Sequence, residues 1–136
     1  MELTGQEIED IVYRKVKALS LGINGGVYER GTRPFDSTSE DCVISFLNGT
    51  ANQVQIGEVI VNIYVPDLIL GDGLSYKDTN RCKQIERLLV GLPEELNADS
   101  QFVFTKSGMI CTLEEPSIKQ HFVSLKMRFK ILNENY

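Results

Sequence analysis

The sequence from Gln53 to Pro66 reads QVQIGEVIVNIYVP and has the clearest strand pattern in the chain. Branched aliphatic residues occupy every odd position from Val59 to Val65, while the even positions between them are mixed. Because the side chains of a strand alternate between two faces, this pattern predicts a strand with one face in a hydrophobic core. We therefore expect the other segments to be arranged around this strand.

Two apolar residues that precede Gly57 depart from this pattern. Val54 and Ile56 lie at even positions, so a continuous pleat would turn them away from the core that begins at Val59. Either a β-bulge at Gly57 resets the face, or the strand offers Val54 and Ile56 to a partner outside its own domain. In the second case we expect both residues in an oligomer or partner interface.

Length and composition are those of an ordinary globular protein. With 136 residues, 42% of them hydrophobic and 24% charged, the chain is long enough to form a single domain, residues 1–136, around its own core. Its three cysteines, Cys42, Cys82 and Cys111, show no CxxC spacing, which favours reduced thiols over disulfides or a metal site. Each lies in phase with apolar neighbours, so we expect all three to be small core residues. We expect neither a metal nor a cofactor.

Charge and hydropathy argue against further classes of protein. The net charge of -5 disfavours a dedicated nucleic-acid binder, so we expect no direct sequence-specific binding of nucleic acid. No run approaches the ~18 apolar residues of a membrane span, and the first residues lack the pattern of a signal peptide. These observations predict a cytoplasmic protein that does not bind membranes.

The remaining segments complete an α+β pattern. Thr4 and Glu7 have the spacing of a capping box, and the apolar residues after them recur at helical spacing. A second helix is predicted over Asn80 to Val90. Strands are predicted over Val27–Arg30, Asp41–Leu47, Gln101–Thr105, Met109–Leu113 and Ser117–Leu132.

The order of these elements predicts the fold. The strand over Asp41–Leu47 should form a hairpin with the strand over Gln53–Pro66, because Asn48-Gly49 between them is a turn signal. A second hairpin is predicted around Lys106–Gly108. We expect an α+β fold, a mainly antiparallel twisted sheet with two principal helices packed on one face.

Two polar segments offer no clear chemistry. Asp67 to Asp78, DLILGDGLSYKD, is predicted to be a glycine-rich linker. Lys126, Arg128 and Lys130 lie on the outer side of the last strand. They could follow a phosphate backbone, but we favour a solvated or salt-bridged sheet face because aromatic residues are not interleaved with them.

The search for catalytic residues centres on His121, the only histidine. Any serine or cysteine nucleophile paired with a histidine would have to use it. Its odd position places it on the same face of the last strand as Val123 and Leu125, so we favour a buried structural histidine. We expect no catalytic residue, and a small hydrolase that uses His121 remains the less favoured alternative.

The loop after the first short strand is a candidate contact surface. Tyr28, Arg30, Arg33 and Phe35 combine aromatic rings with arginines, a mixture enriched at interface hot spots. An ordinary surface loop anchored by Phe35 would explain the same residues. We name these four, with Val54 and Ile56, as candidate interface residues.

Several of these features together resemble a known family. The residues 25–67 and 121–132, with the amphipathic helix before them, resemble the tail-terminator, or tail-completion, proteins of tailed bacteriophages and prophages. The resemblance covers most of the chain and is carried by Gly26-Val27-Tyr28, Arg33-Pro34, Glu40-Asp41, Val61 to Pro66, and the closing strand that starts at His121.

The resemblance implies a structural role in virion assembly and no enzymatic activity. Proteins of this family have an α+β fold and associate into a homo-oligomeric ring, commonly a hexamer. The ring caps the tail tube and joins it to the head-side connector, which implies location in the bacterial host cytoplasm and then at the tail-head junction of the virion. A different head-tail joining protein, or an adaptor protein of a mobile element, is the main alternative.

Overall fold

The computed structural model describes residues 2–97 and 102–132. Its helices are α1 (Gly5–Lys17), α2 (Thr79–Val90) and α3 (Leu92–Leu96), and a short 3-10 helix spans Pro116–Ile118. The strands are β1 (Val27–Glu29), β2 (Cys42–Gly49), β3 (Val54–Pro66), β4 (Leu68–Ile69), β5 (Ser75–Tyr76), β6 (Phe102–Lys106), β7 (Cys111–Glu115) and β8 (Gln120–Leu132).

The main sheet has the strand order β1-β2-β3-β8-β6, and β7 also pairs with β8. All pairs in this sheet are antiparallel except β1 with β2, which is parallel. The α+β class and the mainly antiparallel sheet are therefore as predicted.

The long strands β3 and β8 form the centre of the sheet. Their register runs without interruption from Val54 opposite Leu132 to Pro66 opposite Gln120. The bulge lies instead in β2, where the pairing with β3 shifts between Phe46 and Asn48. The alternative of a bulge in β3 at Gly57 is therefore wrong, and the pleat continues to Val54.

Gly57 is required by close packing between strands and not by a β-bulge in β3. A Cβ atom at this position would lie 2.1 Å from the backbone oxygen of Asn48 and 2.6 Å from a ring carbon of Phe129. The bulged strand β2 therefore approaches β3 so closely that only glycine fits. Next to it Gln55 is buried on the core side, where its amide donates to the carbonyls of Leu3 and Thr50 at 2.9 and 3.0 Å.

The predicted hairpin around Lys106–Gly108 is wrong. Strand β6 pairs with the second half of β8, and β7 pairs with its first half, so β6 and β7 lie end to end along one edge of β8. The amide of Ser107 still donates to the carbonyl of Lys126 at 2.8 Å, and Gly108 adopts a positive φ of 90°. The turn signal thus marks an interruption of one edge strand, because β8 is long enough to pair with both pieces.

Both principal helices pack on one face of the sheet, as predicted. Helix α1 has the predicted capping box between Thr4 and Glu7, and α2 begins one residue before its predicted start, with Asp78 as its cap. Their apolar stripes cover the odd positions of β3 and β8 and form one core cluster. The opposite face of the sheet, which we call the bare face, carries no helix of the described residues.

Candidate interaction surface

The bare face carries the two residues that the sequence singled out. Because the pleat of β3 is continuous, Val54 and Ile56 lie on this face, and 40% of Ile56 is exposed. Ile56 stands opposite Lys130 of β8, which stands opposite Val103 of β6. The second of the two alternatives, with Val54 and Ile56 turned away from their own core, is therefore correct in its placement of the side chains.

An apolar patch with basic residues forms around Ile56. Val103 and Leu132 are each 51% exposed and lie on the bare face beside Ile56 and Val54. We call the surface formed by Val54, Ile56, Val103, Leu132 and Lys130 the distal patch, since it lies at the end of the sheet remote from Pro66.

The basic residues of β8 extend the distal patch along the bare face. Lys126, Arg128 and Lys130 are all exposed. Glu58 stands opposite Arg128, and its carboxylate accepts from Asn48 and Ser107. These two hydrogen bonds, ahead of the charges of Lys126 and Arg128, hold the pKa of Glu58 below its ordinary value. The row is a solvated strip of positive charge with one carboxylate in it.

Arg33 belongs to the predicted exposed loop, but its own side chain is not an exposed contact residue. Its side chain is only 13% exposed, and its Nε atom donates to Asp41 at 2.8 Å. Its Nη2 atom donates to Gln120 at 2.9 Å, and its guanidinium lies 4.1 Å from the centre of the Tyr64 ring. Arg33 therefore fastens the loop after β1 to the end of the sheet.

Asp41 is the central hydrogen-bond acceptor of the contacts that hold this loop. It is 1% exposed and accepts hydrogen bonds from Arg33, from the hydroxyl of Ser37 and from the amide of Gly26. Burial favours the neutral form of this carboxyl, but the three hydrogen bonds outweigh it and lower the pKa of Asp41 below its ordinary value. The loop is polar in composition, but its hydrogen bonds to the buried carboxylate of Asp41 hold it in place.

The other loop candidates are accessible to different degrees. Phe35 is 94% exposed, so it anchors nothing and the alternative of a loop anchored by Phe35 is wrong. Arg30 is exposed. Tyr28 lies in β1 rather than in the loop, half-buried beside Val43 on the bare face.

A groove of about 540 Å³ lies on the bare face beside the start of the loop. Arg30, Val43, Ile60 and Tyr64 are among its lining residues. Asn62 also lines it, and its side-chain oxygen is buried without a hydrogen-bond partner. Buried polar atoms are rarely left unpaired, so this oxygen is an unsatisfied acceptor beside the groove.

The segment from Asp67 to Asp78 is not a plain linker, which corrects the prediction made from its glycines. Strands β4 and β5 pair in a small hairpin, closed by a turn at Asp72 whose carboxylate accepts from the amide of Leu74 at 2.9 Å. We call Leu68 to Tyr76 the arm. The arm exposes five large apolar side chains by 40 to 59%: Leu68, Ile69, Leu70, Leu74 and Tyr76.

His121 lies at the base of the arm and is hydrogen-bonded, as expected of a structural histidine. Its Nδ1 atom is 2.6 Å from Asp67, and its side chain is 13% exposed. It is not fully buried, because it lines a cleft of about 520 Å³ together with Ser75 and Glu114. The position of His121 in this cleft is therefore compatible with a catalytic role. Its contacts inside the cleft determine whether it could activate a nucleophile.

The contacts in this cleft do not form a nucleophile pair. The hydroxyl of Ser75 donates to Asp67, the same carboxylate that holds His121. Asp67 thus stands between Ser75 and the imidazole, whereas activation of a serine needs its hydroxyl on the imidazole itself. Among the described residues no three histidine, cysteine, aspartate or glutamate side chains are grouped so that they could hold a metal ion.

The cysteines divide into two kinds. Cys42 and Cys82 are buried core residues, as predicted, and burial raises the pKa of the Cys42 thiol to about 12. Cys111 is exposed, because its position in β7 faces the bare side of the sheet beside Ser124. Its assignment to the core is therefore wrong.

Comparisons with known proteins do not assign the chain to a family. No protein-family model matches the sequence, and no curated protein matches it significantly. Within residues 2–97 and 102–132, the structure holds no helix long and apolar enough to cross a membrane.

Proposed function

We propose that this protein is a virion assembly protein of the tail-terminator type. In this proposal copies of the chain form a ring, commonly a hexamer, that caps the tail tube of a bacteriophage or prophage and joins it to the head-side connector. The ring would assemble in the cytoplasm of the bacterial host and remain at the tail-head junction. The proposal assigns the protein a binding role rather than an enzymatic one.

The bare sheet face is the observation that carries the proposal. A sheet needs only one covered face to form a core, and here the other face presents Ile56, Val103 and Leu132 to solvent. Contiguous exposed apolar residues framed by charges are typical of protein interfaces. Val54, Ile56, Tyr28, Arg30 and Phe35 are the interface residues we propose, and Arg33 is withdrawn from this set because its contacts are internal.

A measurement of assembly tests this function. The purified protein, alone and with the tail-tube protein encoded in the same gene cluster, would be studied by sedimentation and native mass spectrometry. We expect a species of about six times the 15.3 kDa chain, alone or on the tube, and rings at tube ends in electron micrographs. A protein that stays monomeric at high concentration and binds no tail-tube protein would overturn the proposal.

Matched variants would locate the interface. Ile56→Lys places a charge on the bare face, so we expect it to abolish or strongly weaken assembly. Met109→Lys makes the same kind of change at a residue that is 87% exposed on the edge loop beside α2, and it should assemble normally. Equal effects of the two substitutions would remove the bare face from the interface.

The alternative of another head-tail joining or adaptor protein makes a different prediction for the partner. Such a protein would bind the connector without binding the tail tube. A pull-down with each partner separately distinguishes the two roles.

A further inference from the structure

The arm is the least supported element of the fold. Its two strands pair only with each other, and two-stranded hairpins of this size are marginally stable in water by themselves. The apolar side chains of the arm are exposed, from Tyr76 at 40% to Leu74 at 59%. An element of this kind is stabilised when another surface covers it.

The base of the arm fixes where that surface can be. The amide of Asp67 donates to the carbonyl of Lys119 at 3.1 Å, and its carboxylate binds His121. These contacts hold the arm at the Pro66 end of the sheet, next to the start of β8. Ile56 lies eleven residues before Asp67 in the same extended region, which places it roughly 35 Å from Asp67 at the rise per residue of a strand.

The distal patch is therefore out of reach of the arm of its own chain. It lies at the opposite end of the sheet and on the bare face, whereas the chain continues from the arm into α2 on the covered face. Two complementary surfaces at opposite ends of one molecule meet only between copies. Such a contact is heterologous and generates rings or filaments.

The chemistry of the two surfaces is complementary. Between Leu68 and Tyr76 the arm carries a single charged residue, Asp72, which is exposed at its turn. The pKa of Asp72 is lowered by hydrogen bonds from Tyr76 and from the amide of Leu74, so the carboxylate is charged at neutral pH. The distal patch offers apolar Ile56, Val103 and Leu132 around Lys130, with Arg128 beside it.

We infer that the arm of one copy docks on the distal patch of the next copy. The apolar side chains of the arm would cover Ile56 and Val103, and Asp72 would lie near Lys130 and Arg128. This inference rests on the proposed ring and specifies which two surfaces close it. A second copy is the occupant because the arm and the distal patch carry charges of opposite sign, although the whole chain has a net charge of -5.

Cysteine cross-linking between copies tests the inference. The exposed thiol is first removed by Cys111→Ser, since the other two cysteines are buried. Ile69→Cys and Val103→Cys are then introduced into separate chains, which are mixed and oxidised. We expect a covalent dimer from the mixture, little from either variant alone, and a ladder of larger oligomers from the double variant.

The matched control keeps the arm and moves the second thiol. Met109→Cys is more exposed than Val103→Cys but lies outside the distal patch, so its mixture with Ile69→Cys should cross-link at least tenfold less. Efficient cross-linking of Ile69→Cys with itself would overturn the inference, because it would mean that arms pair with arms. Equal cross-linking to positions 103 and 109 would overturn it as well.

A charge variant gives a second, independent test. Lys130→Glu should weaken self-association at least tenfold by sedimentation, while Lys83→Glu, the same change on the exposed side of α2, should leave it unaltered. Rings that form without any cross-link between positions 69 and 103 would overturn the docking of the arm but leave the proposed function intact. Absence of both rings and cross-links, with tail-tube protein present, would overturn both.

Discussion

The loop of residues 30–41 and the arm both lie near the Pro66 end of the sheet, but they differ in composition and in how they are held. The loop of residues 30–41 is polar, yet Arg33 and Asp41 tie it to the sheet through a buried ion pair. The arm of residues 68–76 is apolar, yet it stands exposed. The comparison teaches that composition alone does not say which segment a fold holds from within and which it leaves for a partner.

The physical reason lies in what each segment meets at the sheet end. The loop passes over Tyr64 and Gln120, which supply an aromatic face and an amide to Arg33. A charged group can be buried when hydrogen bonds replace its contacts with water, and Arg33 donates here to Asp41 and Gln120. The arm passes no such surface in its own chain, so its apolar side chains remain in water.

The largest expected effect comes from breaking the buried pair of the loop. Arg33→Met keeps an unbranched side chain of similar length, but it removes the guanidinium from Tyr64 and leaves the buried carboxylate of Asp41 without its cationic partner. We expect the free energy of unfolding to fall by about 3 kcal/mol or more, measured by urea denaturation. Arg30→Met is the control, since Arg30 is exposed, and its effect should stay within about 0.5 kcal/mol. Similar small losses in both variants would contradict the internal role of Arg33.

A smaller loss is expected at the neighbouring pair of Arg81 and Glu40. Arg81 donates to both carboxylate oxygens of Glu40 at 2.7 and 2.8 Å, and it also binds the carbonyl of Gly22. Arg81 is 28% exposed, so water can partly replace it. Arg81→Met should therefore cost about 2 kcal/mol in urea denaturation. Lys83→Met on the same helix is the control, and an equal loss there would refute the assignment.

Low pH should further weaken the contacts that Asp41 and Glu40 make at the end of the loop of residues 30–41. The hydrogen bond from Arg81 lowers the pKa of Glu40, and hydrogen bonds from Ser37, Arg33 and Gly26 lower that of Asp41 against its burial. Both folded values lie below the unfolded ones, so their contribution to stability is complete at neutral pH and is lost as the pH falls below about 4. Urea midpoints from pH 6 to pH 3 should decrease, and less steeply in the double variant Arg33→Met/Arg81→Met.

The smallest effect is expected in the arm. Ile69→Ser should change the free energy of unfolding of the separate chain by less than about 0.5 kcal/mol, because the side chain is 58% exposed. Leu89→Ser on α2, a fully buried site, is the contrasting variant and should cost several kcal/mol, about 3 or more. A loss above about 1 kcal/mol for Ile69→Ser would mean that the arm is packed within its own chain.

Sequence patterns predicted the elements that depend on local periodicity. The odd positions of β3, the outer basic residues of β8, the capping box at Thr4 and the helix α2 all lie where the pattern placed them. A continuous pleat was one of two alternatives for Val54 and Ile56, and the structure selects it. Periodicity sufficed here because burying one face of a strand or helix fixes the phase of every residue in it.

Long-range pairing could not be predicted in the same way. The turn at Lys106–Gly108 has the sequence of a hairpin, but β6 and β7 both pair with the longer strand β8 and not with each other. Cys111 follows the same rule: its neighbours are apolar, yet its register against Ser124 places it on the bare face. Which face of an edge strand is buried depends on its partner strand, and its own residues do not carry that information.

The candidate surface was half predictable for the same reason. Ile56 was found because its parity conflicts with its neighbours, a signal contained in the strand itself. The sequence by itself determined that one face of β3 builds a core and that Val54 and Ile56 are out of phase with it, and the uninterrupted register with β8 then showed that they face away. Only the tertiary structure decided that Arg33 turns inward, that the arm remains exposed, and that the arm and the distal patch lie at opposite ends, because these depend on which distant groups fold alongside.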